Sequence, residues 1–365
     1  MALRLENYYS QEKWKQSMSN QINIDTVLSA LSQVQEPELH KDLVSLNMIK
    51  DLKVMDGNVS FSIILTTPAC PLRNLIEKQA VAAVQAIDGV KKVNVTFENN
   101  VPSDGRDRGI IQSPVRNIIA IASGKGGVGK STVSANIAIA LAGMGAKVGL
   151  MDADIYGPNI PTMMGINQIP APQNNKLIPA ESHGVKVMSM GFLVKPGQPL
   201  IWRGPMLVSA IRQFLSDVDW GDLDYLVVDL PPGTGDVPLS LAQAIPLSGV
   251  VIVTIPQKVS LEDASRGLEM FRTLNVPILG VIENMRGEIF GNGGGEDLAS
   301  IAGVPFLGFI PMESIIRISG DIGKPVVISE TNSQAAQSLI EISKKIAAQV
   351  SIADFQSKSP EIIIK

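Results

Sequence analysis

From Ile118 onward the sequence repeats one pattern: a short, almost unbroken apolar run, then a stretch with helical spacing. The runs are Ile118–Ala122, Val148–Met151, Val185–Met190, Tyr225–Leu230, Val250–Ile255, Ile278–Ile282 and Phe306–Ile310. A strand covered on one face alternates apolar and polar residues. These do not alternate, so both faces must be buried, as in a parallel sheet with helices on either side. The pattern predicts a doubly wound, mostly parallel α/β domain over 118–350. Its core must be large, and a chain of 365 residues that is 45% hydrophobic can supply one. Charged residues are only 18%, below the usual value of about 25%, which implies much buried surface and a subunit interface.

The first hundred residues read differently. Asn23 to Gln35 has helical character and is followed by an acidic turn, Glu36-Pro37-Glu38-Leu39. Strands are predicted over Ile49–Val54 and Val59–Leu65, joined by the hairpin signal Asp56-Gly57-Asn58. Leu72 to Ile87 carries a helical period and Val90 to Phe97 closes as a strand. The reading is a small α+β domain over 20–98. A Pro-, Gly-, Asp- and Arg-rich stretch, 99–117, is the expected linker, and 351–365 the expected tail.

Composition removes several function classes. A net charge of −4 and 4% aromatic residues argue against nucleic acid as a partner. The longest apolar runs are strand-sized, too short for a membrane span. The N-terminus has scattered charges and no apolar signal region, so a cytoplasmic location is expected. A single cysteine excludes an internal disulfide and any multi-thiolate site built from one chain.

One loop carries the chemistry. Gly124-Lys125-Gly126-Gly127-Val128-Gly129-Lys130-Ser131, with Thr132 after it, matches G-x-x-x-x-G-K-[ST] between a strand and a helix. Glycines let such a loop wrap until backbone N–H groups converge on phosphate oxygens, and the helix N-terminus adds its dipole. Lys130 would bridge the β- and γ-phosphates and Ser131 would ligate Mg2+. Tyr225–Asp229 is an apolar strand ending in an acid, placed to serve the metal, and Gly233 beyond it would let the backbone approach a γ-phosphate. Asp152 and Asp154 end the neighbouring strand, one to support the metal region and one to orient the attacking water. Cys70 precedes the helix from Leu72, where a thiol pKa is lowered toward a reactive or metal-binding thiolate; an inert core thiol is the alternative. His40 and His183 lack ligand spacing, and the methionines at 151, 163, 164, 188 and 190 read as gap-fillers.

The loop, with its early Lys125, resembles that of the deviant phosphate-loop ATPases that include MinD and ParA. Met151–Gly165, Trp202–Pro205, Asp229–Asp236, Ile282–Met285 and Gly291–Gly295 narrow the resemblance to the Mrp/ApbC iron–sulfur carrier family, over about 115–350. Glu36–Glu38, Asp42–Val44 and Thr66–Pro71 resemble the small iron–sulfur assembly domain often fused in front of it. The resemblance implies an ATP- and Mg2+-dependent homodimer that passes clusters to apoprotein clients, with Lys125 reaching the partner's nucleotide. It further implies that Asp154 positions the hydrolytic water, Asp229 serves the metal and Asn284 reads adenine. Typical members carry C-x-x-C after the Ile-Glu-Asn-Met string and hold a bridging cluster, such as [4Fe-4S], with those thiolates. Here only Arg286-Gly287-Glu288 separates Met285 from Ile289, so those cysteines are missing and Cys70 is the one thiol left. Two further readings stay open: a nucleotide-switched dimeric binding module, and a positioning ATPase of the MinD/ParA kind without a cluster.

Overall fold

The computed structural model describes residues 22–103, 115–193 and 204–358 and divides the chain into two compact units. The smaller holds the described residues up to Thr66 together with Cys70–Asn100; the larger holds Thr67–Ala69 and the chain from Val101 onward. Residues 104–114 of the expected linker, Trp202 and Arg203 of one family string, and positions 359–365 lie outside the described residues.

In the smaller unit, α1 (Ile24–Leu31) starts at Asn23, whose Oδ1 accepts the Thr26 amide at 2.7 Å. The helix ends four residues before the predicted point because Gln35 and Glu36 leave it to form β1 (Gln35–Glu36), antiparallel to β2 (Lys41–Asp42). The hairpin signal is borne out: β3 (Ile49–Met55) and β4 (Asn58–Leu65) pair across Asp56-Gly57, both at positive φ (50° and 81°). Then follow α2 (Arg73–Gln85) and β5 (Lys92–Asn99), which runs parallel to β4. Val27, Leu31, Phe61, Ile63, Ile76 and Val84 form the core.

The larger unit runs β6 (Val115–Ala122), α3 (Lys130–Gly143), β7 (Val148–Asp152), α4 (Ile160–Met163), β8 (Ala180–Ser182) and β9 (Val185–Ser189). It continues with α5 (Gly204–Asp217), β10 (Leu223–Asp229), α6 (Asp236–Ala244), β11 (Gly249–Thr254) and α7 (Lys258–Thr273). The last elements are β12 (Ile278–Arg286), α8 (Gly294–Ala302), β13 (Phe306–Pro311), α9 (Ser314–Asp321), α10 (Val326–Ser329) and α11 (Gln334–Lys358). Eight strands form one sheet in the order β13-β12-β11-β6-β10-β7-β9-β8, parallel throughout except for β8. All the predicted apolar runs are strands of it. Successive residues face opposite core layers, Ile119, Ile121 and Val227 on one side, Ile118, Ala120 and Val228 on the other.

Both ends of the larger domain differ from the sequence reading. β6 begins at Val115 because Arg116 pairs with Asp224 at 2.5 Å and the Asn117 amide donates to Pro102 O at 3.0 Å. Polar residues with buried partners hid that start. At the other end α11 continues to Lys358, with Ser351 and Asp354 buried, so the tail expected from 351 begins as helix. Among the described residues no helix is long and apolar enough to cross a membrane.

Candidate functional site

The loop from Ser123 to Gly129 leaves β6 at its carboxyl end and turns directly into α3. Gly127 and Gly129 have φ of 82° and 81°, a region where an L side chain is strained. At Gly129 a Cβ would also run into the Asn284 side chain, so glycine is required twice over. Gly124 leaves no room for a Cβ against the backbone of Asp263 and Ala264 in α7. Across the loop, Gly233 (φ 97°) donates its amide to Ser123 O at 2.8 Å. The loop and the strand-end segment after β10 are thus tied together by main chain.

α3 presents its first turn to Asp229, which ends β10 beside β6 and β7 in register with Ile121 and Asp152. Asp229 is fully buried. Its Oδ2 accepts the Ser131 hydroxyl at 2.6 Å, and its Oδ1 accepts the Ser134 hydroxyl at 2.7 Å and lies 2.8 Å from Lys130 Nζ. Lys130 Nζ is also 3.6 Å from Asp154 Oδ2. A buried carboxylate is stable only with such compensation. Asp154 is itself largely buried, and its Oδ1 has no hydrogen-bond partner. Burial pushes its pKa up, Lys130 draws it back, and Asp229 raises it again.

Asp152 is the acid read as supporting the metal region. It is fully buried, with Oδ1 accepting the Asp154 amide at 3.1 Å and Oδ2 the Ser189 hydroxyl at 2.8 Å. Burial, and then the charge of Asp229, push its pKa well above the usual carboxylate range. Through these bonds it braces the turn that carries Asp154. Lys125 is the loop's outlying cation: its Nζ reaches out to Gln257 Oε1 at 3.5 Å, in an exposed contact.

A cavity of about 180 Å3 lies over the loop, lined by Lys125–Thr132, Asp154, Asn159 and Met163. A second, of about 840 Å3, shares Gly129, Thr132, Asn159 and Met163 with it and extends past Asn284, Met285, Met312, Ile316 and Arg317. The two together form one depression at the carboxyl ends of the strands, where ligands bind in open α/β sheets. Asn284 stands on its wall, its Nδ2 donating to Val128 O at 2.8 Å. Ser134, Ser189 and the α9 residues were not singled out in the sequence. For Ser134 a signal existed, since it lies four residues beyond Lys130 on the same helix face; for the α9 residues none did.

The donor set suits a phosphate-bound divalent cation: two hard oxygen groups, Ser131 and Asp229, meet beside glycine amides, and Asp154 keeps an unpartnered oxygen. Among the described residues no group of three or more His, Cys, Asp or Glu could hold a metal by itself. Past Asn284 the chain closes into a tight hairpin, Gly287 and Gly291 exchanging backbone hydrogen bonds of 3.0 and 2.8 Å. Arg286 anchors it, its Nε 2.5 Å from buried Glu283 and its guanidinium 3.9 Å from the Phe309 ring centroid. Glu283 also accepts the Gly293 and Gly295 amides at the start of α8, which is what the Gly291–Gly295 string provides.

In the smaller unit Cys70 is half-buried and its thiol is not activated. Burial pushes it up to about 11; the Leu72 amide opposes this, and the charges of Glu38 and Glu36 add to it. The expected lowering by the helix start is outweighed.

A family model described as NUBPL iron-transfer P-loop NTPase matches residues 114–347, and one described as iron-sulfur cluster assembly protein matches 24–97. The chain belongs to the iron-transfer P-loop NTPases. This P-loop NTPase is 51% identical over 350 residues to a protein of Synechocystis sp. named iron-sulfur cluster carrier protein, covering 91% of this chain and 99% of that one. A solved nucleotide-binding protein from Archaeoglobus fulgidus, in complex with ADP, is 37% identical with a TM-score of 0.51, covering 57% of this chain and 87% of that one. The Pyrococcus furiosus cell division ATPase MinD has a TM-score of 0.52 at 23% identity, over 63% of this chain and 98% of its own, and shows the shared fold. Nucleotide hydrolysis is the chemistry of such NTPases, and the predicted doubly wound sheet is theirs.

Proposed function

We propose that the chain binds ATP with Mg2+ in this depression, hydrolyses it as a homodimer in the cytoplasm, and uses the cycle to pass iron–sulfur clusters to apoprotein clients. The observation that carries the site is the convergence of Ser131, Lys130 and Asp154 on buried Asp229. Glycine amides of 124–129 and the amides of Ser131 and Thr132 receive the phosphates. Lys130 then exchanges its two carboxylates for phosphate oxygens, a trade of one charge-assisted contact for another. Ser131 and Asp229 would hold Mg2+, which supplies neutralisation of phosphate charge. Asp154, freed of Lys130 and with an unpartnered Oδ1, orients the water. Gly233, its amide bonded to Ser123 O, holds the segment after β10 close against the phosphate loop, and Lys125, pointing outward, is available to a second copy's nucleotide. Asn284, whose Nδ2 is committed to Val128 O, has its Oδ1 left to accept from the adenine amino group and to repel guanine O6.

The cluster is cargo. One thiol per copy, Cys70, cannot complete a four-thiolate set even in a dimer, so the remaining ligands come from a client or a small thiol. The closed Gly287–Gly291 hairpin and the protonated Cys70 also favour a second reading, a nucleotide-switched module that docks clients without holding iron. Lys130→Ala tests the site: ATP turnover is lost, and undiminished hydrolysis would refute it. Iron and sulfide content of anaerobically purified protein, set against Cys70→Ser, separates carriage from docking.

A further inference from the structure

Ser134 has no place in the motif, yet it is fully buried and touches the acid on which the site converges. Its single hydroxyl proton has two acceptors in reach, Asp229 Oδ1 at 2.7 Å and the helical carbonyl of Lys130, four residues back, at 3.0 Å. A serine inside a helix ordinarily bonds that carbonyl. Here the shorter contact is the charged one, and a carboxylate is the stronger acceptor.

The three donors to Asp229 differ in what a nucleotide asks of them. Lys130 and Ser131 open the helix and line the small cavity over the loop, whereas Ser134 lies one turn deeper and does not. Binding of a phosphate-bound cation draws Lys130 and Ser131 away from their present bonds. With Lys130 gone, Ser134 is the donor left on Oδ1; lacking it as well, Asp229 could rotate about its side-chain torsion. We propose that Ser134 is a positioning residue: it retains Oδ1 when the other two donors leave, and so keeps Oδ2 turned toward Ser131 and the divalent cation.

The inference rests on the Mg2+-nucleotide reading above, and the test separates the two. Equilibrium titration of the full chain with a fluorescent ADP analogue is done in EDTA and over a Mg2+ series, for wild type, Ser134→Ala and Ser134→Cys. Alanine is compatible with the helix and removes only the oxygen. Wild type binds more tightly as Mg2+ is added. Ser134→Ala binds the analogue in EDTA as wild type does, but needs about tenfold more Mg2+ for the same tightening, the scale on which lost support of a metal ligand acts. Ser134→Cys, a weaker donor of similar shape, falls between. An unshifted Mg2+ response in Ser134→Ala overturns the role of Ser134 and leaves the site intact. An equal loss in EDTA and in Mg2+ overturns it too, as merely structural damage. No effect of Mg2+ on wild type refutes the reading on which it rests.

Discussion

Two corners of the molecule bury acids, and they treat them in opposite ways. At the head of α3, Asp229 has a lysine and two hydroxyls within 2.8 Å. In the smaller unit Glu36 is held by main chain, accepting the amides of Glu38 and Leu39 at 2.9 and 2.6 Å. Its neighbours suffer: burial and then Glu36 push Glu38 up to about 7, and Cys70 rises to about 11. The first corner is charged and preloaded with a cation that phosphate can take over. The second keeps its protons near neutral pH, and a metal arriving there must expel them.

The largest break in that contrast is Asp229→Asn. The shape survives, but Lys130 is left with Asp154 as its one carboxylate and Ser131 loses its charged acceptor. ATP hydrolysis, followed by phosphate release, should fall by about two to three orders of magnitude, as expected when one preorganised charge leaves a buried site. A loss under about threefold would mean that Asp229 stabilises the fold and not the reaction.

The first corner was legible in sequence because its residues are punctuation: a glycine-rich turn, and acids closing apolar runs. The parallel sheet was legible for the same reason that strands buried twice need no alternation. What stayed hidden depended on distant partners. Arg116 and Asn117 looked like linker because Asp224 and Pro102 meet them only in the fold. The bond from Ser189 to Asp152 was hidden in the same way, since nothing near either residue in sequence announces it. For Cys70 the sequence left two readings open, an activated thiol and an inert one. Position before a helix suggested an activated thiol, but the glutamates at 36 and 38 come to it through the β1–β2 turn, and their charge acts against ionisation.

A smaller effect sharpens the second corner. With its pKa near 11, Cys70 carries little thiolate at pH 8, so alkylation by iodoacetamide there should be slower than for a free thiol by at least about tenfold. Glu38→Gln removes a negative charge that opposes the thiolate. The midpoint of the pH–rate profile should then move down, and the rate at pH 8 rise several-fold. The direction follows from sign alone: a raised thiol pKa means less anion at every pH below it, and taking away an anion beside it restores some. A profile unmoved by Glu38→Gln would leave the elevation to burial and Glu36.

The smallest effect concerns a third buried acid, Glu283, which stands between the two extremes. It has one cation, Arg286, and two amides, those of Gly293 and Gly295. Arg286→Lys keeps the charge but loses the planar donor on Glu283 and the stacking on Phe309, which an ammonium does not reproduce. Because both glycine amides remain, the carboxylate is never orphaned, and the cost should be about 1 kcal/mol, the sum of a weakened bond and a partly exposed cation–π contact. For a unit of this size that is a fall of about 2–4 °C in melting temperature. ADP affinity should change less than twofold, since Asn284 faces the phosphate loop from the same strand through a bond of its own, 2.8 Å to Val128 O. A large loss of ADP affinity with little change in melting temperature would reverse the assignment. The Gly287–Gly291 hairpin would then belong to the nucleotide site, and the Gly291–Gly295 string would be more than a support for α8.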